Sequence, residues 1–235
     1  MLPRIGFVGL GSMGGPMARN LLAGGYEVTG YDIDEDALGA AVSAGARAAG
    51  SVAEVVEAGQ VVMTSLPYSH TWVEVAEGEL VPAARDGQVF IDLGTVAPPE
   101  TRRLAGEFAA TGAILLDVPV SGGSRGAREG TLRMFAGGDR STYEQCRPIL
   151  EVLGDPERIV YCGPSGSGQV VKGINQMAAG MTRAVMLECL ALGEHGGADL
   201  AAARQGVGGD AGWRAVFRGV AEAVLEGNGK HVGVK

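Results

Sequence analysis

Three groups of residues in this chain have types and spacings suited to chemistry. The first is Gly9-Leu10-Gly11-Ser12-Met13-Gly14, which follows a short apolar run and leads into a helical pattern. In a G-x-G-x-x-G turn between strand and helix, the first glycine makes the tight turn and the second lets a pyrophosphate approach the backbone. The third lets the helix pack closely on the strand. The helix N-terminus adds free amides and the positive end of its dipole. Asp32, about twenty residues further on, is placed to accept hydrogen bonds from ribose hydroxyls. Asp34, Glu35 and Asp36 follow it and no Lys or Arg adjoins, so a 2′-phosphate would be repelled. The cofactor expected here is NAD, with NADP disfavoured. Asp34, Glu35 and Asp36 equally read as the acid-rich first turn of a helix.

The second group, Ser121-Gly122-Gly123, closes the apolar run that contains Asp117 and precedes Gly126-Ala127-Arg128-Glu129-Gly130. A glycine turn exposes amide donors that, with a hydroxyl, can bind a carboxylate. Alone, the stretch also fits a plain β-loop-β connection. The third group is Lys172, Asn175 and Gln176, at i, i+3 and i+4 on one face of a helix. A lysine beside two amides in a largely apolar helix is unusual as a core surface, although a lone lysine is ordinarily solvated.

The elements needed to position these residues can be traced along the chain. Up to about residue 162, short β-branched runs alternate with amphipathic stretches, the pattern of a parallel α/β sheet. Strands are expected at 5–8, 27–31, 46–48, 61–64, 89–92, 114–120, 132–136 and 159–161. Helices are expected at 13–23, 34–44 and, after Pro98 and Pro99, 100–111. A continuous helical pattern without proline then runs over 168–194, long for a globular helix. The last clear helical stretch is 213–225, and the chain closes on His231-Val-Gly-Val-Lys235. The fold class expected is α/β: a Rossmann-type doubly wound parallel sheet over 1–162, then a shortened all-helical C-terminal domain over 163–235, joined by the long helix.

Composition excludes several classes. Of 235 residues, 46% are hydrophobic and 20% charged, which is ordinary for a globular protein. A net charge of -8 without a Lys/Arg-rich run argues against a nucleic-acid partner. The N-terminal apolar stretch is too short for a signal peptide, and the run 184–192, broken by Glu188, is too short to span a bilayer. Cys146, Cys162 and Cys189 have no metal-ligand spacing and read as reduced thiols. His70, His195 and His231 are scattered and read as surface or helix-end residues. A cytoplasmic protein with no membrane partner is expected. Met177, Met181, Val185, Met186 and Leu190 give the long helix an apolar face that points to a homo-oligomer.

Taken together, FVGLGSMGGPMARNL, DVPVSGGSRGAREGTL and GPSGSGQVVKGINQM make the chain resemble the β-hydroxyacid dehydrogenase family, from Ile5 to about Leu192. The resemblance implies that Ser121, Gly122 and Gly123 hold a substrate carboxylate, with Asn175 and Gln176 beside it. It implies that Lys172 is the catalytic residue, and that Leu66, Pro67 and Thr95 line the cofactor. The expected activity is NAD-dependent interconversion of a small 3-hydroxy carboxylic acid and its semialdehyde. Three departures stand out. Gln176 replaces the family's asparagine, and Gly94-Thr95 replaces Ser-Thr. The helical domain is also shorter, with Lys235 falling where a further family lysine would lie. The competing expectations are a non-catalytic NAD-binding module and an imine-reductase-like enzyme, whose relatives carry Asp or Tyr in place of the lysine.

Overall fold

The computed structural model describes residues 2–199; the stretch 213–225, His231 and Lys235 lie outside the described residues. The order is β1 (Ile5–Val8), α1 (Gly14–Ala23), β2 (Val28–Tyr31), α2 (Glu35–Ser43), β3 (Arg47–Ala48), α3 (Val52–Ala58), β4 (Val61–Thr64) and α4 (Ser69–Val75). A π-helical turn, Ala76–Leu80, leads to α5 (Val81–Ala83), β5 (Val89–Asp92), α6 (Pro98–Ala110) and β6 (Ile114–Asp117). Then come β7 (Val120–Ser121), α7 (Gly123–Glu129), β8 (Leu132–Gly137), α8 (Arg140–Leu153), β9 (Gly154–Gly163) and α9 (Ser167–His195). Two compact units divide at Gln176/Met177. In the second, the described residues form the later turns of α9 and the Gly196-Gly197 stop beyond it, where Gly197 is left-handed at φ 72°.

Six strands run parallel in the order β3-β2-β1-β4-β5-β6, the Rossmann arrangement. The strand order reverses between β1 and β4, and at such a switch point the strands' carboxyl ends leave a crevice. The sheet is buried on both faces, which is why its strands are near-continuous apolar runs instead of strict alternations. One face carries Ile5, Phe7, Met63, Ile91 and Leu116 with Met17 and Leu21 of α1. The other carries Val8, Val62, Phe90 and Leu115 with Val55, Trp72, Leu104 and Phe108.

The expected single strand over 114–120 is two. β6 pairs parallel with β5, whereas β7 pairs antiparallel with β8. The change of partner falls at Val118-Pro119, and proline cannot donate to a ladder. The sheet is therefore mixed at this end, with β8 antiparallel to β6 and β7 but parallel to β9. The alternative of a plain loop after Ser121 is also corrected, because α7 forms there. It starts from Gly122 (φ 140°) and is stopped by left-handed Gly130 (φ 64°). β9 extends well beyond 159–161, since its first residues pair with Leu132 of β8. Cys146, Cys162 and Cys189 form no disulfide. No described helix is long and apolar enough to cross a membrane.

Phe108 is fully buried, its ring 4.4 Å from that of Phe90 across the α6–sheet interface. Phe108→Ala should destabilise the protein by about 3–5 kcal/mol through lost transfer energy and the cavity left behind. Urea unfolding followed by circular dichroism checks this; an unchanged midpoint contradicts the packing described.

Candidate active site

At the switch point the carboxyl ends of β1, β2 and β4 open on a cleft of about 490 Å³. Gly9, Gly11, Ser12, Met13 and Gly14 form one wall, Asp32, Ile33 and Asp34 another, and Leu66 and Pro67 a third. Leu10 turns inward instead: its side chain is buried, and its amide donates to Asp32 Oδ2 at 2.5 Å. Asp32 Oδ1 accepts from the Asp34 amide at 2.8 Å. The carboxylate thus braces the glycine turn, and each of its oxygens keeps a lone pair for a further donor. Asp34 caps α2, accepting from the amides of Asp36 and Ala37.

The glycines show what this turn fits. Gly9 has φ 89°, and a Cβ there would lie 2.5 Å from the Ser65 carbonyl oxygen. A Cβ at Gly14 would overlap the Gly9 carbonyl oxygen, so α1 can start this close to the end of β1 only because residue 14 is glycine. At Gly11 a Cβ would meet nothing within 4 Å. Protein packing makes no demand there, and the open side faces the cleft. Met13 caps α1 with no side-chain hydrogen bond. The Gly15 amide already donates to the Gly11 carbonyl at 2.9 Å and Pro16 has no N–H, so the amides a ligand could take at this end are those before Gly15. These features together fit a dinucleotide pyrophosphate.

Lys172, Asn175 and Gln176 do share a face of α9, and the structure sets them against β7. Lys172 is buried to 7% exposure, and its Nζ donates to the Val120 carbonyl at 2.7 Å and to Gln176 Oε1 at 3.1 Å. Asn175 Nδ2 donates to Ser121 Oγ at 3.4 Å and to Gln176 Oε1 at 3.2 Å. Among the described residues no carboxylate pairs with Lys172. Burial alone pushes its amine below the usual 10.5. Gly122 and Gly123 follow Ser121 at positive φ and lead into α7, next to this cluster in the chain. Thr95 is exposed on the loop after β5 and does not line the cofactor cleft.

Sequence reasoning passed over two sets of residues. Thr71, Val75 and Glu79 form the remaining wall of the cleft. Their i, i+4, i+8 spacing was legible as a single helical face. The other set is Thr64, Asp92 and Asp117, which are in register across the ends of β4, β5 and β6. Asp92 accepts from the Thr64 hydroxyl at 3.0 Å and the Gly94 amide at 2.9 Å. Asp117 Oδ1 accepts from Gly166 at 2.8 Å and Oδ2 from Gln169 at 3.0 Å, capping α9 from a distant strand. Burial raises both carboxyls, Asp92 to about 7, while these hydrogen bonds oppose the rise. Gly168 lies so close that a Cβ would meet the Asp117 carbonyl oxygen at 2.7 Å. The sequence signal was only an acidic residue ending each of two apolar strands.

Known proteins share this fold. The family profile described as the NAD binding domain of 6-phosphogluconate dehydrogenase matches residues 4–163. A 3-hydroxyisobutyrate dehydrogenase of Pseudomonas aeruginosa is 40% identical over 197 residues, covering 83% of this chain and 65% of that protein. The chain thus spans less than two thirds of the length of the curated relative it matches. A Mycobacterium tuberculosis 3-hydroxyisobutyrate dehydrogenase, solved with L-serine, superposes with a TM-score of 0.82 at 34% identity. It is covered to 71%, against 88% of this chain. An imine reductase of Streptomyces aurantiacus gives a TM-score of 0.83 at 26% identity, over 96% of this chain and 79% of that one. With the glycine turn, the Ser121 loop and the Lys172 helix in place, and with these matches, the chain belongs to the β-hydroxyacid dehydrogenase family.

Proposed function

We propose that this protein is an NAD-dependent oxidoreductase that interconverts a small 3-hydroxy carboxylic acid and its semialdehyde. Lys172 is its proton-transfer residue. The observation that carries this reading is the setting of Lys172: buried, without a carboxylate partner among the described residues, and one residue in β7 away from the Ser121 hydroxyl. An ammonium held only by neutral oxygens is easier to deprotonate than one in an ion pair. Relatives named for 3-hydroxyisobutyrate and 2-(hydroxymethyl)glutarate dehydrogenation support the substrate class.

A bound nicotinamide would supply the hydride donor or acceptor. The chain's own residues bind, orient and move a proton. Residues 9–14 and Asp32 hold the cofactor, with Leu66 and Pro67 beside it. Ser121, Gly122 and Gly123 receive the substrate carboxylate. Asn175 steadies the Ser121 hydroxyl, and Gln176 steadies both Asn175 and Lys172. In oxidation neutral Lys172 takes the hydroxyl proton at Nζ, and in reduction its ammonium returns one to the developing alkoxide. Residues 1–162 serve the cofactor. The protein works in the cytoplasm as a homo-oligomer, through the α9 face on which Met177, Met181, Val185 and Leu190 are exposed. Light scattering that finds only monomer at micromolar concentration removes the oligomer from this reading.

Asp32 and Asp34 beside the cleft, with no described Lys or Arg in its lining, disfavour a 2′-phosphate. NAD should therefore bind more tightly than NADP. Ile33 is 90% exposed at the cleft, so Asp32→Ala with Ile33→Arg has room to reverse the preference. Titration of both cofactors by tryptophan fluorescence decides it, and tighter NADP binding to the unaltered protein overturns the assignment.

Lys172→Ala should lower turnover by about two to four orders of magnitude while leaving NAD affinity nearly unchanged. Lys172→Arg should not restore it, because a guanidinium stays protonated. If the lysine only attracted the substrate carboxylate, arginine would keep most of kcat and alanine would chiefly raise KM. The pH dependence follows from the lowered amine pKa. Oxidation needs the neutral amine, so its kcat/KM should rise with pH and level off with a midpoint below 10.5. Reduction needs the ammonium and should fall over the same range. Steady-state kinetics on a panel of 3-hydroxy acids and their semialdehydes reads all of this. Turnover of cyclic imines with none of hydroxy acids would favour the imine-reductase alternative.

A further inference from the structure

Gln169 lies one helical turn before Lys172 on α9 and is buried to 3% exposure. Every polar group on its side chain is used, and no partner belongs to its own helix. Oε1 accepts from the Val96 amide at 3.0 Å. Nε2 donates to the Gly94 carbonyl at 3.1 Å and approaches Asp92 Oδ2 at 3.4 Å. Its backbone amide donates to Asp117. The amide head thus closes on both ends of the three-residue segment Gly94-Thr95-Val96, donating to the first and accepting from the last. An amide is the side chain that offers this pair of roles in one plane. A glutamate would bring a third carboxylate to a buried site that already holds Asp92 and Asp117.

The contact extends beyond Gln169. Asp92 also accepts from Thr64, and Thr64 Oγ1 accepts from the Trp72 indole at 2.9 Å. Trp72 is buried on α4, flanked on that helix by Thr71 and Val75 of the cofactor cleft. A continuous hydrogen-bonded chain therefore runs Trp72–Thr64–Asp92–Gln169, from the helix that walls the cleft to the helix that carries Lys172. Asp92, with a pKa of about 7, lies in its middle and stays a strong acceptor near neutrality when ionised.

We propose that Gln169 is a positioning residue: it clamps the Gly94–Val96 loop to α9 and so sets where Lys172 stands relative to that loop and to the cofactor cleft. This rests on the reading of Lys172 as the proton-transfer group, and the test separates the two. Gln169→Met keeps length and volume and removes every side-chain hydrogen bond. Gln169→Asn keeps the amide but cannot reach, and it replaces Gln169→Met in the comparison if that variant fails to fold.

Two readouts are needed. The first is kinetic. A loosened proton-transfer group should lower kcat by about 10–100-fold, the scale of a misplacement near 1 Å, with substrate KM and NAD affinity within about threefold of the parent. The second is independent of turnover. Lysine occurs only at 172, 230 and 235, so acetylation of Lys172 by acetic anhydride can be followed by peptide mass spectrometry across pH. Release of the clamp should change the rate or the pH midpoint at Lys172 and leave Lys230 and Lys235 as internal controls.

A folded variant with unaltered kcat and unaltered Lys172 acetylation overturns the proposal, as does a loss of kcat with acetylation unchanged. Should the parent protein turn over no hydroxy acid while Lys172 acetylation still shifts in the variant, the clamp stands and the proposed activity falls.

Discussion

A single buried carboxylate ties the two halves of the site together. Asp117, at the end of β6, accepts from the amides of Gly166 and Gln169 and so holds the first turn of α9 against the sheet. Helix N-termini leave amides unpaired, and a carboxylate there satisfies them while meeting the positive end of the dipole. The cap also sets the helix phase. Fixing Gln169 fixes Lys172 three residues on and Gln176 a turn later. Gly168 permits this approach because any Cβ would strike the Asp117 carbonyl. Removing the carboxylate would leave buried amides unsatisfied, at a cost of about 1–3 kcal/mol each.

Register extends that constraint across the molecule. Thr64, Asp92 and Asp117 stand in one row because β4, β5 and β6 are paired without offset. Polar side chains at the carboxyl ends of central parallel strands have no water to turn to, so they bond to one another and to the loops above. Among the described residues no buried side-chain nitrogen or oxygen lacks a partner. The same row places the Gly94–Val96 loop, the α4 wall of the cleft and the start of α9 on one hydrogen-bonded frame. By contrast, the exposed ion pairs of Arg103 with Glu77, Glu100 and Glu107 contribute little individually.

The electrostatics of Lys172 follow from the same frame. In a chain of net charge -8, this amine is given, among the described residues, only the Val120 carbonyl and an amide oxygen. Desolvation therefore acts on it unopposed, and its pKa falls. Asp92 and Asp117 are close enough to the frame to shape it, yet neither is spent on neutralising the lysine. Gln176 reaches back along its own helix and accepts from the Lys172 amine.

Local patterns already in the sequence determined much of this protein. The glycine turn at 9–14, Asp32 at its spacing from that turn, the alternation of strands and helices, and the long helix carrying Lys172, Asn175 and Gln176 on one face follow from short apolar β-branched runs, the 3.6-residue helical period and glycine's lack of a Cβ. The long helix expected over 168–194 spans Ser167–His195. Tertiary structure decided what no local period encodes. It broke the expected strand 114–120 at Val118-Pro119, because β6 and β7 face different partners, and it built α7 where a loop was an open alternative. It also made Asp92, Asp117 and Gln169 one network, through bonds between residues 49 to 77 apart in sequence. Such contacts depend on strand order and register. Asp92 and Asp117 look in sequence like ordinary strand ends, and Gln169 like any polar residue in a first helical turn. Only packing that brings two strand ends beneath one helix shows them as the support of Lys172.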